Sequence, residues 1–200
     1  MTPAALRVRL AEIAAQPFEA SAPHGDDVLA TLAKAPVPAA VLVPVVLSET
    51  PGVLLTKRTS HLSAHAGQVS FPGGRIDPED SGPEAAALRE AWEEIGLEPA
   101  SVQVLGRMTD HVTGTGYRIT PILGVVPPDL VYRLSLHEVE SAFELPISVV
   151  LDPNAPKLQR QHVGGVWREY WVWPHPDHYI WGATAAILVQ LAERLRERAV

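Results

Sequence analysis

The chain has 200 residues, 46% of them hydrophobic, and a formal net charge of −7, which together predict one domain with a sizeable core. The acidic balance argues against a general nucleic-acid binder, because no basic stripe is available to neutralise many phosphates. The sequence contains no cysteine, which excludes disulfides, thiolate catalysis and cysteine-ligated zinc.

The apolar runs are short, and this favours a cytoplasmic protein. The longest run, from Val37 to Leu47, is interrupted by Pro38 and Pro44 and is too short to span a bilayer. The N-terminal segment has Arg7 and Arg9 within its apolar pattern, so we do not expect a secretory signal. The expected partner is a small-molecule substrate, with no nucleic acid and no membrane, and a homodimer is an open alternative.

The hydrophobic periodicity predicts a single α/β domain with helices and strands along the whole chain. In the first half we expect helices at 3–15, 26–34 and 83–95, and strands at 39–47, 53–57 and 68–71. In the second half we expect strands at 102–108, 117–126, 157–163 and 166–173, a helix or helical turn at 138–151 broken at Pro146, and a final helix at 183–198. Gly164 and Gly165 are the expected turn of a hairpin.

The predicted helix at 83–95 carries a cluster of carboxylates near its end. Glu90 and Glu94 are four residues apart, so a helix stacks them on one face, and Glu93 lies beside them. Three like charges repel one another unless solvent or a cation offsets the repulsion. Hard oxygen ligands suit Mg²⁺ or Mn²⁺, whereas the competing interpretation is a plain solvated acidic face.

Two neighbouring features favour the metal interpretation. An apolar stripe of Ala85, Leu88, Ala91 and Trp92 is expected to dock the helix on the core, and Gly96 is expected to end it. Upstream, Phe71-Pro72-Gly73-Gly74 closes a short strand, and glycine lets the backbone come close to a ligand. A glycine-rich backbone followed by a carboxylate cluster predicts a site for a metal-bound phosphate.

This segment resembles the Nudix box, which reads Gly, five residues, Glu, seven residues, then Arg-Glu-apolar-x-Glu-Glu-x-Gly-apolar. The stretch from Arg89 to Leu97 matches the second half. The first half differs, because Gly74 lies one residue too far upstream and Ser81 occupies the slot of the upstream Glu. Asp80 and Glu84 are nearby acids, but neither is in register.

The longer loop resembles the coenzyme A diphosphatase branch of that family. Residues 73–80, GGRIDPED, are similar to its Gly-Gly-x-x-Asp-Pro-x-Asp pattern, and residues 180–185, IWGATA, are similar to its C-terminal stretch. The upstream signature of the branch is matched by Leu54, Leu55, Thr56, Arg58, Leu62, His65, Gly67, Val69 and the stretch 71–74. The resemblance covers roughly residues 38–195, with a helical extension at about 1–36. It implies a Nudix fold for the single domain 1–200: a mixed β-sheet sandwiched between α-helices, with a catalytic loop-helix-loop.

The resemblance also implies roles for the residues of the box. The expected metal ligands are Glu90, Glu94, Glu93 and the carbonyl of Gly74, and the expected catalytic residues are Glu93, Glu94 and Arg89. Glu93 is either a ligand through water or the general base, and Arg89 is expected to orient the glutamates by ion pairing. A base from a later segment is the alternative, with Glu138, Glu140 or Glu144 on the predicted helix as candidates and plain surface charge as the competing interpretation.

Substrate contacts are expected on the segment before the box. Arg58 is the first choice for a phosphate because its guanidinium offers a fork of donors, and the resemblance adds His65, Gly67 and Gly73. His61 and His65 could alternatively hold zinc, but a third ligand is missing from the sequence nearby. Three tryptophans are candidates for stacking on adenine or, alternatively, for strand or dimer packing: Trp167, Trp171 and Trp173.

Three functions follow from these expectations. The first is metal-dependent hydrolysis of coenzyme A or acyl-CoA into a 4′-phosphopantetheine product and adenosine 3′,5′-bisphosphate. The second is hydrolysis of another nucleoside diphosphate derivative, namely ADP-ribose, NADH or a dinucleoside polyphosphate. The third is a non-catalytic module that binds a nucleotide or a protein, which the presence of all three glutamates disfavours.

Overall fold

A computed structural model describes residues 1–15, 24–25, 35–61, 65–163 and 166–196. The predicted helix at 26–34, Leu62 of the upstream signature and the predicted hairpin glycines Gly164 and Gly165 lie outside the described residues. No helix in these described ranges is both long and apolar enough to cross a membrane.

Groups of consecutive strands separate the helices along the described part of the chain. The α-helices are α1 (Pro3–Ala15), α2 (Pro83–Ile95), α3 (Ile147–Val150) and α4 (Gly182–Arg196), and Pro99–Ser101 forms a 3₁₀ turn. The strands of the first half are β1 (His24–Gly25), β2 (Val37–Val46), β3 (Gly52–Arg58), β4 (Val69–Ser70) and β5 (Gly73–Arg75). Those of the second half are β6 (Gln103–Arg107), β7 (His111–Val112), β8 (Tyr117–Val126), β9 (Val139–Pro146), β10 (Lys157–Val163), β11 (Val166–Trp173) and β12 (Ile180–Trp181).

A mixed sheet with β2 near its centre organises the molecule. β2 runs parallel to β8 along its whole length and pairs antiparallel with β3 and β5. β3 in turn pairs with β4 and with β9, and β8 pairs with β6 and β7. β10, β11 and β12 form a separate antiparallel sheet. The pairing of β2 with β5 is what brings Gly73 and Gly74 next to the centre of the sheet.

Helices cover both faces of the mixed sheet. Because side chains alternate along a strand, β2 contributes Val43 and Val45 to one core cluster and Leu42 and Val46 to the other. The first cluster contains side chains of α1 and α4, and the second contains Ala86, Ala87, Ala91 and Ile95 of α2. The predicted α/β architecture, a mixed sheet between helices, is therefore confirmed.

The segment 138–151 contradicts its prediction. Residues Val139–Pro146 form strand β9, and only Ile147–Val150 form a helical turn. β9 pairs antiparallel with β3 from Gly52 to Arg58, which satisfies backbone groups that a lone strand edge would leave open. Val139 and Leu145 are buried while Glu140 and Glu144 are exposed, so the pairing outweighed the local preference for helix.

The buried stripe of α2 also differs from its prediction. The helix spans Pro83–Ile95 as expected, but the side chains that face the sheet follow Ala87, Ala91 and Ile95. Trp92 was expected in this stripe and is instead 38% exposed, with the guanidinium of Arg133 5.4 Å above its ring. The real stripe is rotated toward Glu94, which consequently becomes buried.

Candidate active site

Helix α2 is held firmly at its C-terminal end, where the glutamates lie. Gly96 follows the helix with φ 68°, and its N–H donates to the carbonyl of Trp92 while that of Leu97 donates to Ala91. Such a left-handed residue is the common stop signal of a helix and favours glycine. The N–H of Ser135 donates to the carbonyl of Glu94 at 2.8 Å, which ties the segment before β9 to the same end.

The carboxylates of Glu90 and Glu94 meet the main chain of the glycine pair. Glu94 is 3% exposed, and its Oε2 accepts a hydrogen bond from the N–H of Gly73 at 3.3 Å. A Cβ added at Gly74 would overlap the carboxylate of Glu90, so a larger residue at this position would displace that carboxylate. The β2–β5 pairing and the docking of α2 thus bring the glycine pair and the two glutamates together, although they are apart in the sequence.

Burial disfavours the charged form of both glutamates. Burial raises the pKa of Glu94 to about 8, although Arg58 opposes this with its Nη1 at 3.4 Å from Oε1. Burial also raises the pKa of Glu90, and the hydrogen bond from Arg89 opposes it. The charge of Glu138 is a further, smaller cause that raises the pKa of both.

These residues fit a hard divalent cation. Glu90 and Glu94 supply two carboxylates, and the main chain of Gly73 and Gly74 lies against them. Across the described ranges, no group of three or more His, Asp or Glu side chains is placed to hold a metal ion, so the two glutamates form an open pair. Mg²⁺ is commonly held by one or two carboxylates together with water and substrate phosphates, so an open pair suits it better than it suits zinc.

Arg89 is the centre of an ion-pair network. Its Nη1 donates to Oε1 of Glu90 at 3.0 Å and to Oε2 of Glu93 at 3.1 Å. On its other side it makes a bidentate pair with Asp80, at 3.1 Å from Nε to Oδ1 and 2.9 Å from Nη2 to Oδ2. These contacts raise the pKa of Arg89 and lower that of Asp80.

Asp80 is the residue that sequence reasoning missed. It lay out of register with the family box, yet its carboxylate reaches Arg89 because the residues from Asp77 form a tight turn. The N–H of Asp77 donates to Oδ2 of Asp80 at 2.8 Å, and the N–H of Asp80 donates to the carbonyl of Asp77 at 3.0 Å. The Asp-Pro-x-Asp sequence was the available signal, since such residues favour turns. Glu84, the other nearby acid, instead pairs with Arg107.

The four candidates for the general base differ in their positions and partners. Glu93 is exposed and bound to Arg89, and Glu138 lies in the turn just before β9. Glu140 is paired with Lys57 at 2.6 Å, and Glu144 lies farther along the exposed side of β9. The expectation that Glu138, Glu140 and Glu144 lie on a helix was wrong, because residues 139–146 form a strand that pairs with β3.

The remaining predicted substrate residues occupy the connection from β3 to β4. Arg58 ends β3 and points to Glu94, whereas His65 and Gly67 are exposed, with Nδ1 of His65 at 3.0 Å from Oε1 of Gln68. Among the tryptophans, Trp173 is fully buried and offers no stacking face, whereas Trp171 is partly buried and packs against the core. Trp167 is 62% exposed and contacts His162 and Arg160.

Comparison with known proteins places this geometry in a family. The family model described as the NUDIX domain matches residues 36–175. An uncharacterized Nudix hydrolase, NudL, of Escherichia coli (strain K12) is 43% identical over 159 residues, covering 77% of this chain and 80% of that protein.

Solved structures are similar in fold at lower identity. A MutT NUDIX hydrolase from Burkholderia pseudomallei has a TM-score of 0.48 and 20% identity, covering 77% of this chain and 98% of that one. The NUDIX domain of Shewanella oneidensis NrtR, complexed with ADP ribose, has a TM-score of 0.46 and 21% identity, covering 62% and 84%.

The family match spans residues 36–175, the range in which the glycine pair, Arg89 and the three glutamates lie. The E. coli relative likewise covers most of the chain. Nudix hydrolases act on nucleoside diphosphate derivatives and generally use divalent metal ions. The chain belongs to this family and is a Nudix pyrophosphohydrolase.

Proposed function

We propose that the protein hydrolyses the diphosphate bond of coenzyme A or acyl-CoA, giving a 4′-phosphopantetheine product and adenosine 3′,5′-bisphosphate. The observation that carries this proposal is the bidentate pair between Asp80 and Arg89. The loop is one residue longer than the common Nudix box and resembles the coenzyme A branch. The pair gives that longer loop a physical purpose, because it supplies Arg89 with the acid that Ser81 does not provide.

Glu90, Glu94 and the carbonyl of Gly74 would hold Mg²⁺ or Mn²⁺. When bound, such an ion neutralises charge on the diphosphate oxygens and makes water more acidic. Arg89 contacts both Glu90 and Glu93, so in this proposal it orients the carboxylates and does not touch the substrate. The N–H of Gly73 orients Glu94 in the same way.

Hydrolysis adds water across one phosphoanhydride bond. The water oxygen bonds to one phosphorus, the bridging oxygen leaves with the other phosphate, and a base takes the released proton. Glu138 is our choice of base, because its charge acts on both Glu90 and Glu94 whereas Glu140 is engaged by Lys57. Glu93 remains the alternative, as either base or ligand through water.

Arg58 is proposed to contact a substrate phosphate. Its guanidinium reaches Glu94 through Nη1, and its Nε is buried without a hydrogen-bond partner among the described residues. A donor left free beside the metal-binding carboxylates suits an anionic ligand. His65, Gly67 and Gly73 are proposed to complete the substrate site, as the resemblance to the coenzyme A signature implies.

The test is product analysis with purified protein and Mg²⁺ or Mn²⁺, with coenzyme A, ADP-ribose, NADH and a dinucleoside polyphosphate compared side by side. We expect adenosine 3′,5′-bisphosphate from coenzyme A at the highest kcat/KM. Preferred cleavage of one of the other three would retain the Nudix chemistry and reject the proposed substrate. A cytoplasmic location and a homodimer also stay predictions.

A further inference from the structure

The turn that carries Glu138 is exposed, yet hydrogen bonds hold its main chain in place. Glu138 is the last residue before β9, and its side chain is exposed. The N–H groups of Glu138 and Val139 both donate to the carbonyl of Ser135 at 2.8 Å. The carbonyls of His137 and Glu138 both accept from Thr59, at 3.2 Å from its Oγ1 and at 2.9 Å from its main-chain nitrogen.

These hydrogen bonds fix the direction of the Glu138 side chain. A peptide group is planar, so the Cα of each residue lies between two rigid planes. The carbonyl of His137 and the N–H of Glu138 belong to the plane before this Cα, and the carbonyl of Glu138 and the N–H of Val139 belong to the plane after it. Since both planes are held, the bond from Cα to Cβ of Glu138 has one direction while its side chain stays exposed.

Thr59 is the buried anchor of this turn. It follows β3 directly after Arg58 and is 5% exposed. Its carbonyl accepts from the N–H of Gly67 at 3.3 Å, so Thr59 also contacts the connection from β3 to β4. A buried hydroxyl without a partner is costly, and the partner of this one is the main chain of the turn that carries Glu138.

A shift of register between β3 and β9 produces this pairing. The two strands pair one to one up to Lys57, and the register then shifts by one residue so that Arg58 pairs with Val139. Such a shift is a β-bulge, a feature that is frequent beside active sites. Without it Val139 would come opposite Thr59, whereas with it the carbonyl of Glu138 meets the N–H of Thr59.

The other end of the turn is tied to helix α2. The N–H of Ser135 donates to the carbonyl of Glu94 at 2.8 Å, and the carbonyl of Ser135 accepts the two N–H groups on either side of the Glu138 Cα. Thr59 and the C-terminal end of α2 therefore hold the turn from two sides. Main-chain hydrogen bonds alone connect Glu138 to the helix that carries the predicted metal ligands.

We propose that Thr59 is a positioning residue whose hydroxyl fixes the peptide group before Glu138, and thereby the direction from which this carboxylate takes the proton of the attacking water. The inference rests on the choice of Glu138 as base in the proposed function. It does not depend on which nucleoside diphosphate derivative is the substrate. Thr59 acts through Glu138 and not on the substrate, and only its hydroxyl can be removed by substitution, because the main-chain hydrogen bond does not involve the side chain.

The experiment is steady-state kinetics with Mg²⁺, with coenzyme A and ADP-ribose as separate substrates. Thr59→Val keeps the shape of the side chain and removes the hydroxyl, whereas Thr59→Ser keeps the hydroxyl. Thr184→Val is the matched control, because the buried hydroxyl of Thr184 also donates to a main-chain carbonyl, that of Val69, at 3.0 Å. Each Thr59 variant is also combined with Glu138→Gln, and melting curves show whether every protein is folded.

We expect Thr59→Val to lower kcat about tenfold with little change in KM, because a misplaced base loses its alignment with the water. Thr59→Ser and Thr184→Val should keep the parental kcat. Glu138→Gln should be about 10²-fold slower than the parent. Adding Thr59→Val to it should cause no further loss, since residues that act as a unit are not additive.

Three results would overturn the positioning role: parental kcat in Thr59→Val, an equal loss in Thr59→Ser, or a loss that adds to that of Glu138→Gln. A slow Glu138→Gln beside a parental Thr59→Val would keep the base and reject the role of Thr59. Parental kcat in Glu138→Gln would reject the base and the role together. Turnover of ADP-ribose without turnover of coenzyme A would reject the proposed substrate, and the comparison of the Thr59 variants would then be decided on ADP-ribose.

Discussion

At the scale of single residues, the active site places an acidic side chain in a buried position, where its charge is costly. Glu94 is almost fully buried, and neither the N–H of Gly73 nor Arg58 compensates its charge completely. A carboxylate is retained in such a place when function needs it, because burial otherwise favours a neutral side chain. The residues around it, Asp80 and Arg89 above all, serve to hold the geometry.

Replacing Glu94 tests this view most directly. We expect Glu94→Gln to lower kcat by about 10²- to 10³-fold, because a charge that faces the diphosphate is lost. The melting temperature should not fall, since the neutral amide removes a buried charge. The measurement is steady-state turnover with a melting curve for each variant, and Glu98→Gln, an exposed neighbour, is the control. Near-parental turnover would remove Glu94 from the metal site.

Arg58 can bind the substrate phosphate or act through Glu94, and kinetics can distinguish these two roles. If Arg58 binds the substrate phosphate, Arg58→Ala should raise KM for coenzyme A about tenfold and change kcat less. Lys57→Ala is the control, because Lys57 pairs with Glu140. A fall in kcat at unchanged KM would show that Arg58 acts through Glu94 instead.

Asp80 should stabilise the fold in a pH-dependent way. Arg89 holds the pKa of Asp80 below its ordinary value, so its contribution is present above pH 4 and is lost as the pH falls through that lowered pKa. We expect Asp80→Asn to cost about 2 kcal/mol at pH 7 and less at pH 3. Urea unfolding at both pH values measures this, with the exposed Glu79→Gln as control. An equal loss at both pH values would contradict the ion-pair explanation.

At the scale of elements, the site depends on where α2 ends and on what β9 becomes. Gly96 stops the helix just after Glu94. Main-chain N–H groups of the segment before β9 donate to the carbonyls of Ile95 and Glu94. β9 places Glu140 on Lys57 and leaves Glu138 in the turn before it. Both features are properties of backbone conformation, which then decides the roles open to the side chains.

The helix stop can be weakened without touching the glutamates. Gly96 has φ 68°, and an added Cβ would lie 3.0 Å from Cβ of Arg133. We expect Gly96→Ala to lower the free energy of unfolding by about 1–2 kcal/mol, because the left-handed conformation is costly for an L-residue. Gly96→Asn should cost less, since asparagine tolerates this conformation better. Denaturant unfolding gives the comparison, and equal costs would point to the contact with Arg133 alone.

At the scale of the whole molecule, the sheet couples two core layers. α4 contributes Leu188 to the layer shared with α1, whereas Leu42 belongs to the layer under α2. Both side chains are fully buried, and β2 contributes to both layers. Such an arrangement is expected to unfold as one unit.

Mutations in the two layers should therefore have the same kind of effect. We expect Leu188→Ala and Leu42→Ala each to cost about 3 kcal/mol and to leave a single unfolding transition. The measurement is thermal unfolding followed by circular dichroism and by tryptophan fluorescence. Leu136→Ala, at a position 71% exposed, should change little. Two separate transitions would contradict the prediction of one domain.

The sequence by itself determined the elements whose signals are local. The span of α2 and its stop at Gly96 follow from apolar spacing and glycine, and the strands at 117–126 and 166–173 follow from their β-rich composition. The spacing of Arg89, Glu90 and Glu94 was sufficient to indicate the family. These features depend on contacts between residues close in the chain.

Only the tertiary structure decided the rest. Segment 138–151 is a strand because β3 offers it a partner, and a pairing between segments so far apart has no signal within either one. Asp80 reaches Arg89 because a turn compensates for a shift of register, which counting residues cannot show. The burial of Glu94 depends on how α2 is rotated on the sheet, and that rotation is set by packing of the whole core.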